Sequence, residues 1–169
     1  MKKKKIQIKK CTLKDSKFVY NLYNRFVKKK LFNKHTIVTF KSHQEWLKNI
    51  LKSKESAIYI GFSNTRFGYV RIENLFDNIF VVSIAVDEKY IGKGYSNNFL
   101  NLSIKKFFKK IKNFILFSFV KKNNLRSKIF FLNNNFFEIK MNNKNRLNKF
   151  IKHDNTIFIY LEKISLKKK

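Results

Sequence analysis

Apolar and polar positions alternate from Ile6 through Ile8 to Cys11, which predicts a half-buried first strand. Thr12, Leu13, Lys14 and Asp15 then offer helix-capping side chains, and Phe18, Val19, Leu22 and Tyr23 recur at helical spacing. Ser42 opens a second helical stretch carrying Trp46, Leu47, Ile50 and Leu51. From Ala57 the period shortens to that of β structure, with apolar runs over 57–62, 67–72 and 78–86. The polar connections 63–66 and 73–77 read as turns, so the three runs predict an antiparallel meander.

Beyond a loop holding Gly92 and Gly94, the positions Phe99, Leu100, Leu102, Ile104, Phe107, Phe108 and Ile111 give a wide helical apolar face. The unbroken apolar run 114–120 predicts a central strand, buried on both faces and parallel to the strand before that helix. A helix over 124–134, a strand over 136–139 and a last strand over 156–161 complete the pattern. The stretch 142–154 reads as a loop or hairpin arm, and 1–5 and 164–169 read as frayed basic tails. With no repeat and no Pro/Gly/Ser-rich linker, residues 1–169 are expected to form a single domain of α/β (α+β) class around one mixed, mostly antiparallel sheet.

Composition modifies this outline in two respects. The 44% of hydrophobic residues suits a folded core, whereas 39 basic against 10 acidic residues gives a formal charge of +29, the usual mark of a polyanion partner. Only five of the basic residues are Arg, the residue best shaped for bidentate phosphate and base contacts. The rest of the excess is Lys, accompanied by 21 Asn, 20 Phe and no Pro, as an A+T-rich coding sequence produces. A nucleic-acid partner is therefore not expected, although the charge draws anions generally. Cys11 alone excludes an internal disulfide framework and fits a buried structural thiol in a reducing compartment. No run of 18 apolar residues is present and the basic N-terminus lacks the apolar stretch of a signal peptide, so a cytoplasmic location off the membrane is expected. No metal site is expected.

Two of only four glycines, Gly92 and Gly94, share the loop between a strand ending at Val86 and the next helix. Glycines there permit unusual φ and close backbone approach, and the first N–H groups of the helix are free to meet an anion such as a pyrophosphate. The stretch 83–96 resembles the acetyl-coenzyme A loop of the GNAT N-acetyltransferases, an apolar strand ending in Val-Asp-Pro followed by Arg/Gln-x-x-Gly-x-Gly/Ala. Val86, Asp87 and Gly94 match; Glu88 stands at the Pro position, Ile91 at the Arg/Gln position and Ser96 at the second Gly/Ala. The stretch 120–137 is similar to the family's Val-x-x-x-Asn-x-x-Ser-x-x-x-Phe/Tyr-x-x-x-Gly-Phe, with Asn124, Ser127, Phe131 and Phe136 on the pattern and Asn135 in the Gly place.

The resemblance implies the GNAT fold, with a splayed parallel strand pair and helices on both faces of the sheet, and acetyl-CoA as cofactor. It implies cofactor contacts from Ile84, Ala85, Val86, Ile91, Gly92, Lys93, Gly94, Tyr95, Ser96, Asn97, Asn124 and Ser127. The segments around Asn24, His43, Trp46 and Arg71 resemble the branch that acetylates nucleotide-linked amino sugars, which implies that these four residues line the acceptor side, in a monomer or homodimer. Direct attack of an amine on the thioester requires a base, for which His43 and Glu73 are candidates, and an acid, for which Tyr95 is one; many relatives place a Tyr acid where Phe131 stands. Alternatives are an acetyltransferase acting on ribosomal or other protein N-termini, and a degenerate or nucleic-acid-binding member of the same fold.

Overall fold

The computed structural model describes residues 6–31, 36–139 and 158–164. Strand β1 (Gln7–Lys10) leads into a turn of 3-10 helix at Leu13–Asp15 and helix α1 (Ser16–Lys28). Helix α2 (Phe40–Lys52) follows, and then the meander of β2 (Ser56–Phe62), β3 (Arg66–Phe76) and β4 (Ile79–Val86). A second 3-10 turn, Glu88–Tyr90, precedes α3 (Tyr95–Phe107), β5 (Ile115–Lys121), α4 (Leu125–Leu132), β6 (Phe137–Ile139) and β7 (Phe158–Ile164). The strands form one sheet in the order β1-β2-β3-β4-β5-β7-β6. Every neighbouring pair is antiparallel except β4 and β5.

The two sheet faces carry separate cores. On one, Phe67, Val70, Ile72, Phe80 and Val82 meet Phe99, Leu100 and Ile104 of α3 and Phe131 of α4. Phe67 anchors this layer, its ring centroid 5.0 Å from Phe99 and 5.3 Å from Tyr95, the range of favourable aromatic pairs. On the other face, Ile58, Ile60, Tyr69 and Ala85 pack against Val19 and Leu22 of α1 and Leu47 and Ile50 of α2. Each buried Val, Leu and Ile side chain here contributes about 1.5–3 kcal/mol. Cys11 belongs to this second layer, where burial first and Asp15 second push its thiol up to about 12, so it is inert as a nucleophile.

Element boundaries depart from the periodicity in four places. Helix α2 begins two residues before Ser42, because the cap is Thr39, whose Oγ1 accepts a hydrogen bond from the Ser42 N–H at 3.2 Å. Strand β3 continues through 73–76, expected to be a turn, and the reversal falls at Asp77, whose φ of 47° lies in the left-handed region. Asn74 Nδ2 donates to the Asp77 carbonyl at 2.7 Å and holds that turn. Helix α3 stops at Phe107, short of Ile111. Ile164, expected in a frayed tail, is the last residue of β7, opposite Ile115. The expected loop at 142–154 and the start of the last strand at 156–157 lie outside the described residues.

The chain between β1 and α1 is held by one carboxylate. Asp15 accepts from the Thr12 N–H at 2.9 Å, the Thr12 hydroxyl at 3.0 Å and Arg66 Nε at 2.8 Å, and is itself buried. Asp15→Ala should therefore lower unfolding stability by about 2 kcal/mol, several times the effect of a surface substitution, in a urea titration followed by circular dichroism.

Candidate active site

The sheet opens at β4 and β5, the only parallel pair among the described residues. Register between β4 and β5 runs through three positions, Ile79 with Ile115, Phe80 with Leu116 and Val81 with Phe117, and goes no further. Beyond it each strand keeps its outer neighbour: β4 stays on β3 as far as Val86 opposite Gly68, and β5 stays on β7 as far as Lys121 opposite Phe158. A wedge results between 82–86 and 118–121. The Asp87 N–H donates to the Phe67 carbonyl at 2.7 Å, and the Ala85 carbonyl lies so close to Gly68 that a Cβ there would sit 2.5 Å from it. Residues 85 and 87 thus turn their backbone groups toward β3. By strand alternation Ile84 and Val86 turn theirs into the wedge, unpaired by any strand. Ala85, expected with them at the cofactor, faces the α1/α2 core with its side chain and β3 with its backbone.

The loop at the wide end of the wedge has the conformation its glycines allow. Gly92 has φ 75° and Gly94 φ 80°, and Gly94 is the N-cap of α3. A Cβ at Gly94 would meet nothing within 4 Å, so the requirement for glycine here is one of backbone conformation and not of space. Lys93 is exposed in the loop and Ser96 half-buried in the first turn of α3. Asn97, on the same turn, is engaged: its Oδ1 accepts from Asn134 Nδ2 at 3.1 Å, in a network with Asn101 that ties α3 to α4.

Helix α1 closes the near side. Arg25 pairs with Asp87 at 3.0 Å and Lys29 with Glu88. Beside these pairs lies an open cavity of about 450 Å³ lined by Phe26, Lys29, Leu31, Glu88, Ile91 and Arg126. Ile91 forms an apolar part of its wall. On the far side Asn124 caps α4, its Oδ1 accepting from the Ser127 N–H at 3.2 Å. The opposite end of α4 closes through Asn135 at φ 61°, with the Phe136 N–H donating to the Phe131 carbonyl at 3.1 Å, the left-handed cap expected from Asn in the Gly place. Lys121, the last residue of β5, is buried, and its amine donates to the Lys30 carbonyl at 2.9 Å.

The α1/α2 face of the sheet holds the residues predicted for the acceptor and the base, and the structure divides them. Arg71 and Glu73 pair at 3.0 Å, and the Arg71 guanidinium lies 5.6 Å from the Trp46 ring centroid. Tyr23, whose phenol burial raises above its ordinary pKa against the opposing pull of Arg71, shares these surroundings. Asn24 is not presented to a ligand: its Nδ2 donates to the Val38 carbonyl at 3.1 Å and its Oδ1 accepts from the Val38 N–H at 3.2 Å, fastening the chain before α2 onto α1. His43 is 4% exposed, between Tyr20 at 5.6 Å and Trp46 at 5.2 Å. Burial depresses its pKa from 6.5, partly offset by a hydrogen bond to the Ser16 backbone, so the ring is a neutral core group and is not exposed as a base. Tyr95, a candidate acid, packs in the opposite core against Phe67 and Tyr90, with its hydroxyl 3.3 Å from Ser63 Oγ.

Sequence periodicity misses Phe26, Lys29, Leu31 and Arg126, which line the cavity, and Lys121, because each is an ordinary residue of a lysine-rich or apolar stretch. The four-residue spacing of Arg25 and Lys29, which sets both on one side of α1, is the signal that could have found the pairs to Asp87 and Glu88. Among the described residues no cluster of three or more His, Cys, Asp or Glu could hold a metal ion, and no helix is long and apolar enough to cross a membrane.

No family model matches the chain, and no curated protein matches its sequence. Solved structures do. A ribosomal-protein-alanine N-acetyltransferase from Brucella melitensis superposes with a TM-score of 0.77 at 16% identity, over 94% of this chain and 99% of that one. A spermidine N-acetyltransferase from Vibrio cholerae, solved with CoA and spermine, gives 0.78 at 13% identity over 94% and 95%. An acetyltransferase of the GNAT family from Streptococcus pneumoniae gives 0.70 at 16% over 95% and 100%. The chain has the GNAT fold.

Two outcomes test the local assignments. Gly94→Ala should cost about 1 kcal/mol of stability, because an Ala at this φ is strained while its methyl meets no neighbour. For His43, both folded and unfolded chains hold a neutral ring above pH 6.5; below it the unfolded chain takes the proton first, so stability falls toward the lower folded pKa. The stability difference between the native chain and His43→Gln should shrink as pH is lowered through that window and stay flat above it, as read from thermal melts over a pH series.

Proposed function

We propose that the chain is an acetyl-coenzyme A-dependent N-acetyltransferase. The observation that carries this is the β4–β5 wedge, which opens onto a left-handed glycine loop at the start of α3. The residues present suit this cofactor. Ile84 and Val86 turn unpaired backbone groups into the wedge, where an extended amide-bearing arm can pair as a strand would. The free N–H groups at the start of α3, with Lys93, Lys29 and Arg126 near, suit its phosphates. Asn124, whose oxygen is used by its own cap, keeps its Nδ2 to donate to the arm, with Ser127 beside it.

Bound there, acetyl-coenzyme A would supply an acetyl group activated as a thioester. The chain's own groups supply the rest. A Val86 or Ile84 N–H in the wedge offers a fixed donor to negative charge developing on the carbonyl oxygen. Glu73, held against Arg71, is the base that accepts a proton from the acceptor ammonium, directly or through water. Phe131 has no proton to give and Tyr95 is committed to the α3 core, so protonation of the leaving thiolate falls to water in this reading.

The acceptor in this reading is the amine of a nucleotide-linked sugar. With Asn24 and His43 interior, support for it rests on Arg71 and Trp46 on the acceptor face, and on a net charge of +29 that favours an anionic acceptor and repels a polyamine. Incubation with acetyl-coenzyme A and a panel of UDP-amino sugars should release free thiol; turnover confined to peptides would reject the sugar acceptor, and no turnover on any amine would reject the activity. Glu73→Gln should lower kcat by about 100-fold or more with coenzyme A affinity unchanged.

A further inference from the structure

The carboxylates of Asp87 and Glu88 stand beside the loop that leads into α3, where the first-turn N–H groups of the helix and the neighbouring lysines attract anions. They are two of only ten acidic residues in a chain of charge +29. Each is matched by a cation from the same side of α1, Arg25 to Asp87 and Lys29 to Glu88. The two pairs differ in setting. Asp87 also caps the 3-10 turn, its Oδ1 accepting from the Lys89 N–H at 3.3 Å, and is one of the residues that hold β4 to β3. Glu88 has no such tie; it is half-exposed, and both it and Lys29 line the 450 Å³ cavity that Arg126 enters from α4.

We propose that Glu88 is a resident competitor for the anionic part of the cofactor, occupying Lys29 until a phosphate displaces it, and so sets cofactor affinity. The inference rests on the cofactor proposed above. The chemistry is an exchange of one anion for another at a fixed cation. With the cavity empty, Glu88 neutralises Lys29 at the wall of the cavity. A phosphate entering beside Lys29 and Arg126 takes over the Lys29 ammonium, and the Glu88 carboxylate turns to solvent. Until that exchange the carboxylate repels the incoming phosphate, so Glu88 weakens binding although it sits in the site. The pair is half-exposed, so its grip is small enough for the exchange and is screened by salt.

The test is the affinity of the full-length chain for coenzyme A by titration calorimetry, at low salt and again at about 0.5 M salt, with pyrophosphate as a second probe. Glu88→Gln should bind coenzyme A about fivefold more tightly than the native chain at low salt, and the gain should shrink at high salt. Lys29→Gln should bind less tightly. Asp77→Asn, which removes the same charge at the β3–β4 turn, should change nothing and so controls for net charge. An affinity of Glu88→Gln equal to or below the native value overturns the proposal, as does an equal gain from Asp77→Asn. If the native chain binds pyrophosphate with this dependence on Glu88 but does not bind coenzyme A, the competition stands and the cofactor assignment fails.

Discussion

The divergence of two parallel strands is the constraint on which the rest of this structure depends. Three paired positions join β4 to β5, and past Val81 and Phe117 each strand follows a different neighbour. Neither end is loose. On the β4 side, Gly68 lets the Ala85 carbonyl approach and the Phe67 carbonyl takes the Asp87 N–H, so the strand is drawn toward β3 to its last residue. On the β5 side, pairing with β7 continues to Lys121, whose buried amine is fastened to the end of α1 through the Lys30 carbonyl. Backbone groups in a sheet are ordinarily satisfied by the next strand, so an opening held from both sides leaves a short polar edge that an extended ligand can complete.

Electrostatics is arranged around that opening in an unusual way for so basic a chain. Long-range attraction toward anions comes from the whole surface. Local carboxylates then modulate it: Asp15 with Arg66 fixes the approach to α1, Asp87 with Arg25 and Glu88 with Lys29 bind α1 to the glycine loop, and Glu73 with Arg71 sits on the α1/α2 face of the sheet. These four carboxylates serve defined contacts that join elements distant in sequence or shape one face of the sheet. Exposed pairs contribute little to stability, so their significance lies in position, above all at the cavity shared by α1, the loop and α4.

The polar residues of the α1–α2 seam show how a functional pattern and a packing pattern coincide in sequence. Asn24 reproduces a strand-like pair of hydrogen bonds with Val38, and the His43 ring fills the space between Tyr20 and Trp46 with its Nε2 buried and unpartnered. Both hold the chain that borders the Arg71, Glu73 and Trp46 cluster on the α1/α2 face of the sheet. The two sets cannot be told apart from spacing, because all five are polar or aromatic residues on amphipathic elements.

By itself the sequence determined the succession of elements, the meander, the parallel return to β5 and the special loop. These follow from local causes: period-2 and period-3.6 burial, capping side chains, and glycines where φ must be positive, with Asn135 serving the same need at the end of α4. Tertiary structure alone decided which candidates meet. Residue period says which side of its own element a side chain occupies but not what covers that side, so Tyr95 proved to face the α3 core and His43 the inside of a helix seam. It also decided the wedge, since divergence of β4 from β5 arises because β4 keeps to its meander neighbour β3 while β5 pairs with β7, a strand far along the chain. And it decided the cavity, whose walls come from α1, the glycine loop and α4, elements that no window of sequence contains together.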